Sequence, residues 1–183
     1  MNNNANGNLS FLALEYVHAW ERHRSLDGEI AFKTKLRAVQ LDFSVESLRH
    51  IDRFLDEIRE QHRLTETSVV RYRPLRALFC WLAFYVGEVI GRSVQTEPQW
   101  FSFDAYNELF DGDASDRCFE TSMVLGFPDN PRVKVPFFKP LISIVARATN
   151  PDDEKSVWFS AGLQIPPAVL TSEFAKRPQS REF

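Results

Sequence analysis

One long apolar stretch, Pro74 to Arg92 (PLRALFCWLAFYVGEVIGR), constrains the fold more than any other part of the chain. Between Arg76 and Glu88 it carries no charge, and large apolar side chains fall on every side of a helix. A helix that is apolar all round has to be covered by other elements on several sides. Proline suits its first turn, because proline lacks the N–H that a helix start leaves unpaired. We therefore predict a buried central helix over residues 74–94.

Small residues form a smooth stripe along this predicted helix. Ala83, Gly87 and Gly91 recur every four residues, so they lie on the same side of it. Glycine inside a helix is destabilising by about 0.5–1 kcal/mol relative to alanine. Two such glycines therefore predict that another part of the chain, which we expect to be a sheet, comes close to this side.

Length and charge narrow the class of protein. The chain has 183 residues, of which 44% are hydrophobic and 26% charged, as expected for one domain with a large core. Its formal charge of −3 gives no global attraction to nucleic acid or to anionic lipid. A membrane span is not predicted either, because charged residues interrupt the apolar stretch near both of its ends. The N-terminus lacks the basic start and apolar region of a secretory signal. The two cysteines are expected to be reduced, which fits the cytoplasm, and we expect the protein there.

Patterns of apolar residues divide the chain into helices followed by strands. Steps of three and four residues predict helices, and strict alternation predicts strands. The predicted helices are 9–24, 29–40, 44–63, 74–94, 104–110 and 140–148, and the predicted strands are 98–103, 118–127 and 156–165, with a strand edge within 133–138. Residues 140–148 fit a strand as well, but Pro140 at the first helical position favours a helix.

This order of elements predicts an α+β fold. We expect N-terminal helices around the buried central helix, which packs on a small antiparallel sheet from the C-terminal half. Residues 1–8 are expected to be a flexible leader, residues 9–170 a single domain and residues 171–183 a polar tail.

Glu88 is the only acid in the central stretch, and it allows two interpretations. In the first, its carboxylate pairs with Arg92 one turn later, or with backbone N–H groups of a strand, and fixes how helix and sheet meet. In the second, it acts as a general acid or base, or as a ligand contact, in a pocket beside Tyr85, Gly87 and Trp100. The sequence points to no second titratable partner, which favours the structural interpretation.

Three arginines, Arg71, Arg73 and Arg76, surround the start of the central helix, where unpaired N–H groups already favour an anion. An acidic protein surface or a phosphate-bearing ligand could dock there. Alternatively, the arginines pair with the acidic helix at 46–60. The chain has no glycine-rich phosphate loop, nucleophile elbow or dinucleotide fingerprint, so no cofactor is predicted.

Metal binding and thiol catalysis are not predicted. The loop Asp111 to Asp116 starts like a calcium loop, but its sixth position lacks glycine, and its twelfth is Ser122 instead of glutamate. Cys80 and Cys118 lie far apart without close cysteine or histidine neighbours, which argues against a zinc site and a disulfide framework. Both are expected to be reduced core thiols.

Two fragments together resemble the pattern of one group of proteins. They are LDFSVESLRHIDRFLDEIR at 41–59 and FYVGEVIGR at 84–92, the second followed by Trp100. Similar small, largely uncharacterised bacterial proteins have a YS-x-x-SL-x-x-ID-x-x-L helix, a Y-x-GEV helix and a downstream tryptophan. Phe43 stands where that pattern has tyrosine. The matching positions are Ser44, Ser47, Leu48, Asp52, Tyr85, Gly87, Glu88 and Trp100.

Some proteins of this kind are suspected immunity or accessory partners of secreted toxins. The resemblance therefore implies a non-enzymatic, cytoplasmic bacterial protein that acts by binding another protein, with an immunity-type partner of a toxin as the specific form. The alternative is a small-ligand-binding protein or an enzyme that uses a pocket around Glu88, Tyr85 and Trp100. Nucleic-acid binding through the three arginines is a weaker hypothesis, because the net charge opposes it.

Overall fold

The computed structural model describes residues 4–22, 24, 29–110, 116–130, 132–133, 136–151 and 156–167. Within them the chain forms eight α-helices and three β-strands, so the predicted α+β class is confirmed. In chain order the elements are α1 (Asn4–Glu21), α2 (Lys33–Ala38), α3 (Ser47–His62), α4 (Glu66–Arg71), α5 (Arg73–Val94), β1 (Gln99–Ser102), α6 (Phe103–Phe110), β2 (Met123–Gly126), β3 (Phe137–Phe138), α7 (Pro140–Thr149) and α8 (Val157–Gly162).

Helix α5 is the predicted central helix, and it lies in the core. Most of its 22 residues are buried, and helices α1, α4, α7 and α8 pack against it. Pro74 lies in its first turn, and the helix ends at Gln95, which has a left-handed φ of 58°. By length and composition α5 could cross a membrane, but 72% of its most apolar window is buried inside the fold. That burial is typical of the core helix of a soluble protein.

The sheet packs against the small-residue stripe of α5. Its three antiparallel strands have the order β1-β2-β3, with Trp100 opposite Leu125 and Leu125 opposite Phe138. A Cβ atom built on Gly87 would lie 2.5 Å from Cζ2 of Trp100 and 3.3 Å from Cδ1 of Leu125. The absence of a side chain at Gly87 therefore allows α5 to touch the sheet, as the stripe predicts.

Helix α8 occupies the segment that the sequence pattern predicts as a last strand, so the strand predicted over 156–165 is wrong. The hydroxyl oxygen of Ser156 accepts the N–H of Phe159 at 3.1 Å, which is the contact of a helix N-cap. The carboxylate of Asp52 on α3 accepts the N–H groups of Val157 and Trp158 at 2.7 and 3.3 Å. Asp52, more than a hundred residues earlier in the chain, thus accepts hydrogen bonds from N–H groups that the start of α8 would leave unpaired.

Two other segments differ from their predicted form. The connection before α5 contains the short helix α4, whose Thr65 hydroxyl accepts the N–H of Ser68 at 3.2 Å in a capping box. Only Met123–Gly126 of the strand predicted over 118–127 is paired, because the chain turns before it. There the hydroxyl of Thr121 accepts the N–H of Cys118 at 3.1 Å.

The remaining expectations concern the ends of the chain and α7. The helix predicted over 140–148 is present as α7. Helix α1 begins at Asn4, inside the segment predicted to be a leader. Residues 1–3 and the predicted tail 171–183 lie outside the described residues.

Replacing Gly87 with alanine should lower the free energy of unfolding by about 1–3 kcal/mol, because the new methyl group would overlap the Trp100 ring and force helix and sheet apart. Chemical denaturation of the two proteins measures the difference. Gly162→Ala is the matched control, since a Cβ atom at Gly162 on α8 would meet nothing within 4 Å. Equal effects of both substitutions would contradict the role assigned to Gly87.

Candidate functional site

Tyr85 joins α5 to the start of α3 through a chain of hydrogen bonds. Its hydroxyl lies 2.7 Å from the hydroxyl of Ser47 and accepts the backbone N–H of Phe43 at 2.8 Å. Ser47 in turn donates to the carbonyl of Ser44 at 2.6 Å. Because each hydroxyl has a single proton, Tyr85 is the donor in its contact with Ser47. Every polar group in this joint is therefore satisfied.

The environment of the phenol keeps it neutral. Tyr85 is 1% exposed, and burial raises the pKa of Tyr85 to about 12, although the hydrogen bonds with Ser47 and Phe43 act in the opposite direction. The ring of Phe43 stacks on the ring of Tyr85 with centroids 4.7 Å apart. Phe43 holds a left-handed φ of 60°, which a non-glycine residue adopts only where its surroundings fix it. This joint has the features of a structural contact and no access for a substrate.

Glu88 makes the ion pair that the structural interpretation predicts. Its Oε1 lies 2.7 Å from Nε of Arg92, and Arg92 also binds Glu21 of α1 at 2.5 Å. The guanidinium carbon of Arg92 lies 4.1 Å from the ring centroid of Phe43. Burial alone would lower the pKa of Arg92, but the two carboxylates raise it above its usual value. The cation is therefore held among groups from α1, α5 and the segment before α3.

Trp100 and Glu88 line a cavity of about 30 Å³ between α1, α5 and β1, but Tyr85 does not. Such a volume holds about one water molecule. The indole packs edge-on against Phe84 with centroids 5.1 Å apart, and the backbone N–H of Trp100 donates to Ser10 at 3.0 Å. Of the predicted group, Glu88 and Trp100 therefore share this small cavity, while Tyr85 contacts Ser47 and Phe43, and among the described residues the three line no common ligand pocket.

Arg71, Arg73 and Arg76 lie together at the junction of α4 and α5, and all three side chains are exposed. None of the three guanidinium groups forms a hydrogen bond or an ion pair with a described residue. Among the described residues, the alternative pairing with the acidic helix is not found; Glu57 binds Lys35, and Asp56 binds Arg59 and Arg147. Val70 and Tyr72 beside the arginines are 45% and 53% exposed.

The two cysteines lie in different environments. Cys80 lies on α5, where burial raises its pKa to about 11 and so disfavours the thiolate. Cys118 is exposed in the turn before β2, which corrects its prediction as a core thiol. In the part of the chain that the structure describes, no group of three or more histidine, cysteine, aspartate or glutamate residues could hold a metal ion. Residues 111–115 of the calcium-like loop lie outside that part.

Asp52 is the buried polar residue whose role the helical pattern does not reveal. Its side chain is 8% exposed, and it accepts hydrogen bonds from the hydroxyl of Ser156 at 2.5 Å and from the first N–H groups of α8. The pattern places Asp52 among the charged residues of α3. A usable signal was its position between Leu48 and Leu55, one turn away on either side along the buried face.

Tyr85→Phe should lower the free energy of unfolding by about 1–3 kcal/mol at neutral pH, because it leaves the partly buried N–H of Phe43 without an acceptor. The difference from wild type should shrink with rising pH. The pKa of Tyr85 is about 12 in the folded state and near 10 in the unfolded state. The stabilisation by the neutral phenol is therefore complete below pH 10 and is lost as the pH passes about 12. Denaturation at neutral and alkaline pH tests both parts, with the exposed Tyr72→Phe as control.

Asp52→Asn should destabilise the protein by about 1.5–3 kcal/mol, because a neutral amide replaces a carboxylate that accepts three hydrogen bonds at the start of α8. Hydrogen exchange should show faster exchange in α8 and α3 than elsewhere. The exposed Asp129→Asn, measured in parallel, should change neither. Unchanged exchange in α8 would rule out the anchoring role.

No protein-family model, curated protein sequence or solved structure matches this chain. The role of each residue therefore rests on its contacts. Positions of the motif meet in pairs across the fold: Ser47 with Tyr85, and Gly87 with Trp100. Asp52 joins α3 to α8. These motif residues thus fix how the elements pack, while the exposed arginines, which pair with no described residue, lie outside the motif.

Proposed function

We propose that this chain is a non-enzymatic, cytoplasmic bacterial protein that acts by binding an acidic surface of another protein. The contact is made by the α4–α5 surface, defined as Val70, Arg71, Tyr72, Arg73 and Arg76. The observation that carries the proposal is that its three arginines are exposed and form no ion pair with a described residue.

The composition of this surface supports a protein partner. Arginine and tyrosine are enriched among the residues that dominate binding energy at protein interfaces, and both combine apolar area with hydrogen-bonding groups. A depression of about 430 Å³ adjoins the α4–α5 surface and is lined in part by Val70 and Arg71. It provides a recess into which a partner side chain fits beside the arginines.

Local acidic groups favour protein over nucleic acid. Glu66 and Glu120 line the same depression as Arg71, so a continuous phosphate backbone would meet negative charge there. The formal charge of −3 also gives no long-range attraction to a polyanion. A folded partner can instead place isolated carboxylates opposite the arginines and avoid the glutamates.

The resemblance of the helix motifs to bacterial immunity and accessory proteins makes a toxin the first partner class to test. An immunity protein needs a specific surface and no catalytic residues. That requirement agrees with Tyr85, Glu88 and Trp100 serving as packing contacts, and with the arginines of the α4–α5 surface being exposed and pairing with no described residue.

The test compares wild type with the triple variant Arg71→Gln, Arg73→Gln, Arg76→Gln. Protein captured by the wild type from the native host is identified, produced in pure form and titrated by calorimetry. The triple variant should bind at least about tenfold more weakly, because each interfacial arginine lost removes charge-assisted hydrogen bonds. The wild-type affinity should also fall as salt is added.

The matched control replaces three other exposed arginines, Arg22, Arg37 and Arg53, with glutamine, which changes the net charge equally. It should bind within about twofold of wild type, since surface charges outside an interface act weakly. Equal loss in both variants would show a nonspecific charge effect. Binding of a labelled oligonucleotide by wild type but not by the triple variant would replace the protein partner with a nucleic acid.

A further inference from the structure

A second cavity, of about 340 Å³, lies where α6, β3, α7 and α8 meet. Tyr106, Phe137 and Ile142 form much of its apolar wall, and Tyr106 and Phe137 pack edge-on with ring centroids 5.1 Å apart. Small-molecule sites in proteins have volumes of roughly 300–1,000 Å³ and mostly apolar walls with a few polar groups. This cavity has the size and wall of a site for a molecule with a single aromatic ring.

One polar group in the wall of this cavity is buried without a partner. Gln164, just after α8, is 7% exposed, and its side-chain oxygen accepts no hydrogen bond from any described residue. A buried acceptor without a donor destabilises a fold, so nearly all such groups in proteins are satisfied. This oxygen has almost no accessible surface, so a donor on a bound molecule would satisfy it once the Gln164 side chain rotates toward the cavity.

Lys139 also lines the cavity, and its ammonium group requires an acceptor or an anion. Lys139 is half-buried and precedes the first residue of the ten-residue helix α7. Its ammonium group makes no hydrogen bond or ion pair with the described residues. The positive end of the α7 dipole adds to its charge, so this end of the cavity favours an anion.

We propose that the cavity binds a small aromatic carboxylate that carries a hydroxyl group. The carboxylate pairs with Lys139, the ring packs against Tyr106 and Phe137, and the hydroxyl donates to Gln164. This site is separate from the α4–α5 surface, and its occupation does not depend on the protein partner.

The test uses 4-hydroxyphenylacetate as the probe and the full chain as the receptor. Calorimetry and ligand-observed NMR should give a Kd of about 1 mM or tighter, which is modest for a ligand of this size. Phenylacetate, which lacks the hydroxyl, and 4-hydroxyphenylacetamide, which lacks the charge, should each bind at least about tenfold more weakly.

Two substitutions assign the contacts. Gln164→Leu should keep or raise the Tm of the unliganded protein, because it removes an unsatisfied group, and it should weaken probe binding at least about tenfold. Lys139→Met should weaken binding similarly, while Lys139→Arg, which keeps the charge, should retain most of it. If Gln164→Leu does not fold, the comparison of Lys139→Met with Lys139→Arg tests the proposal on its own.

Three results would overturn the proposal. The first is the absence of binding by wild type at probe concentrations up to about 10 mM, since even an inefficient ligand of this size would then occupy the site. The second is binding that Lys139→Met leaves unchanged. A lower Tm of unliganded Gln164→Leu, together with unchanged binding, would assign the amide a purely structural role and would equally reject the site.

Discussion

The contact between Gly87 and the indole of Trp100 sets the distance between α5 and the sheet, and the rest of the core is arranged around it. Gly91 has the same effect one turn later, where a Cβ atom would lie 2.7 Å from the carbonyl oxygen of Thr96 as the chain turns back toward β1. With the sheet covering this side of α5, the helices α1, α4, α7 and α8 cover the others. The uncharged stretch of α5 between Arg76 and Glu88 is thereby kept largely out of water.

Polar contacts determine which arrangement of these apolar elements is adopted. Apolar packing alone tolerates many arrangements, whereas a buried hydroxyl or carboxylate is satisfied only when its partner arrives. Tyr85 meets Ser47 only with α5 correctly placed against the start of α3, and Asp52 meets Ser156 only with α8 docked on α3. Among the described residues, the α4–α5 surface and the cavity between α6, β3, α7 and α8 take no part in these contacts.

Local sequence patterns predicted the structural features that depend on residues close together in the chain. They missed the features that depend on residues far apart in the chain. The apolar run fixed α5, its glycine spacing predicted the approach of the sheet, and the four-residue step predicted the pair of Glu88 with Arg92. The pattern could not predict that Glu21 also binds Arg92, because Glu21 lies on α1. The same limit explains α8: its residues alternate like a strand, and the carboxylate that caps them belongs to α3.

The link between Asp52 and α8 also has a consequence for biosynthesis. The acceptor and its donors are separated by more than a hundred residues, so the carboxylate emerges from the ribosome long before Ser156, Val157 and Trp158. Packing α3 into a buried core during that interval would bury the charge of Asp52 without its hydrogen-bond donors, which is strongly unfavourable. Asp52 therefore disfavours burial of this face of α3 before α8 has been synthesised.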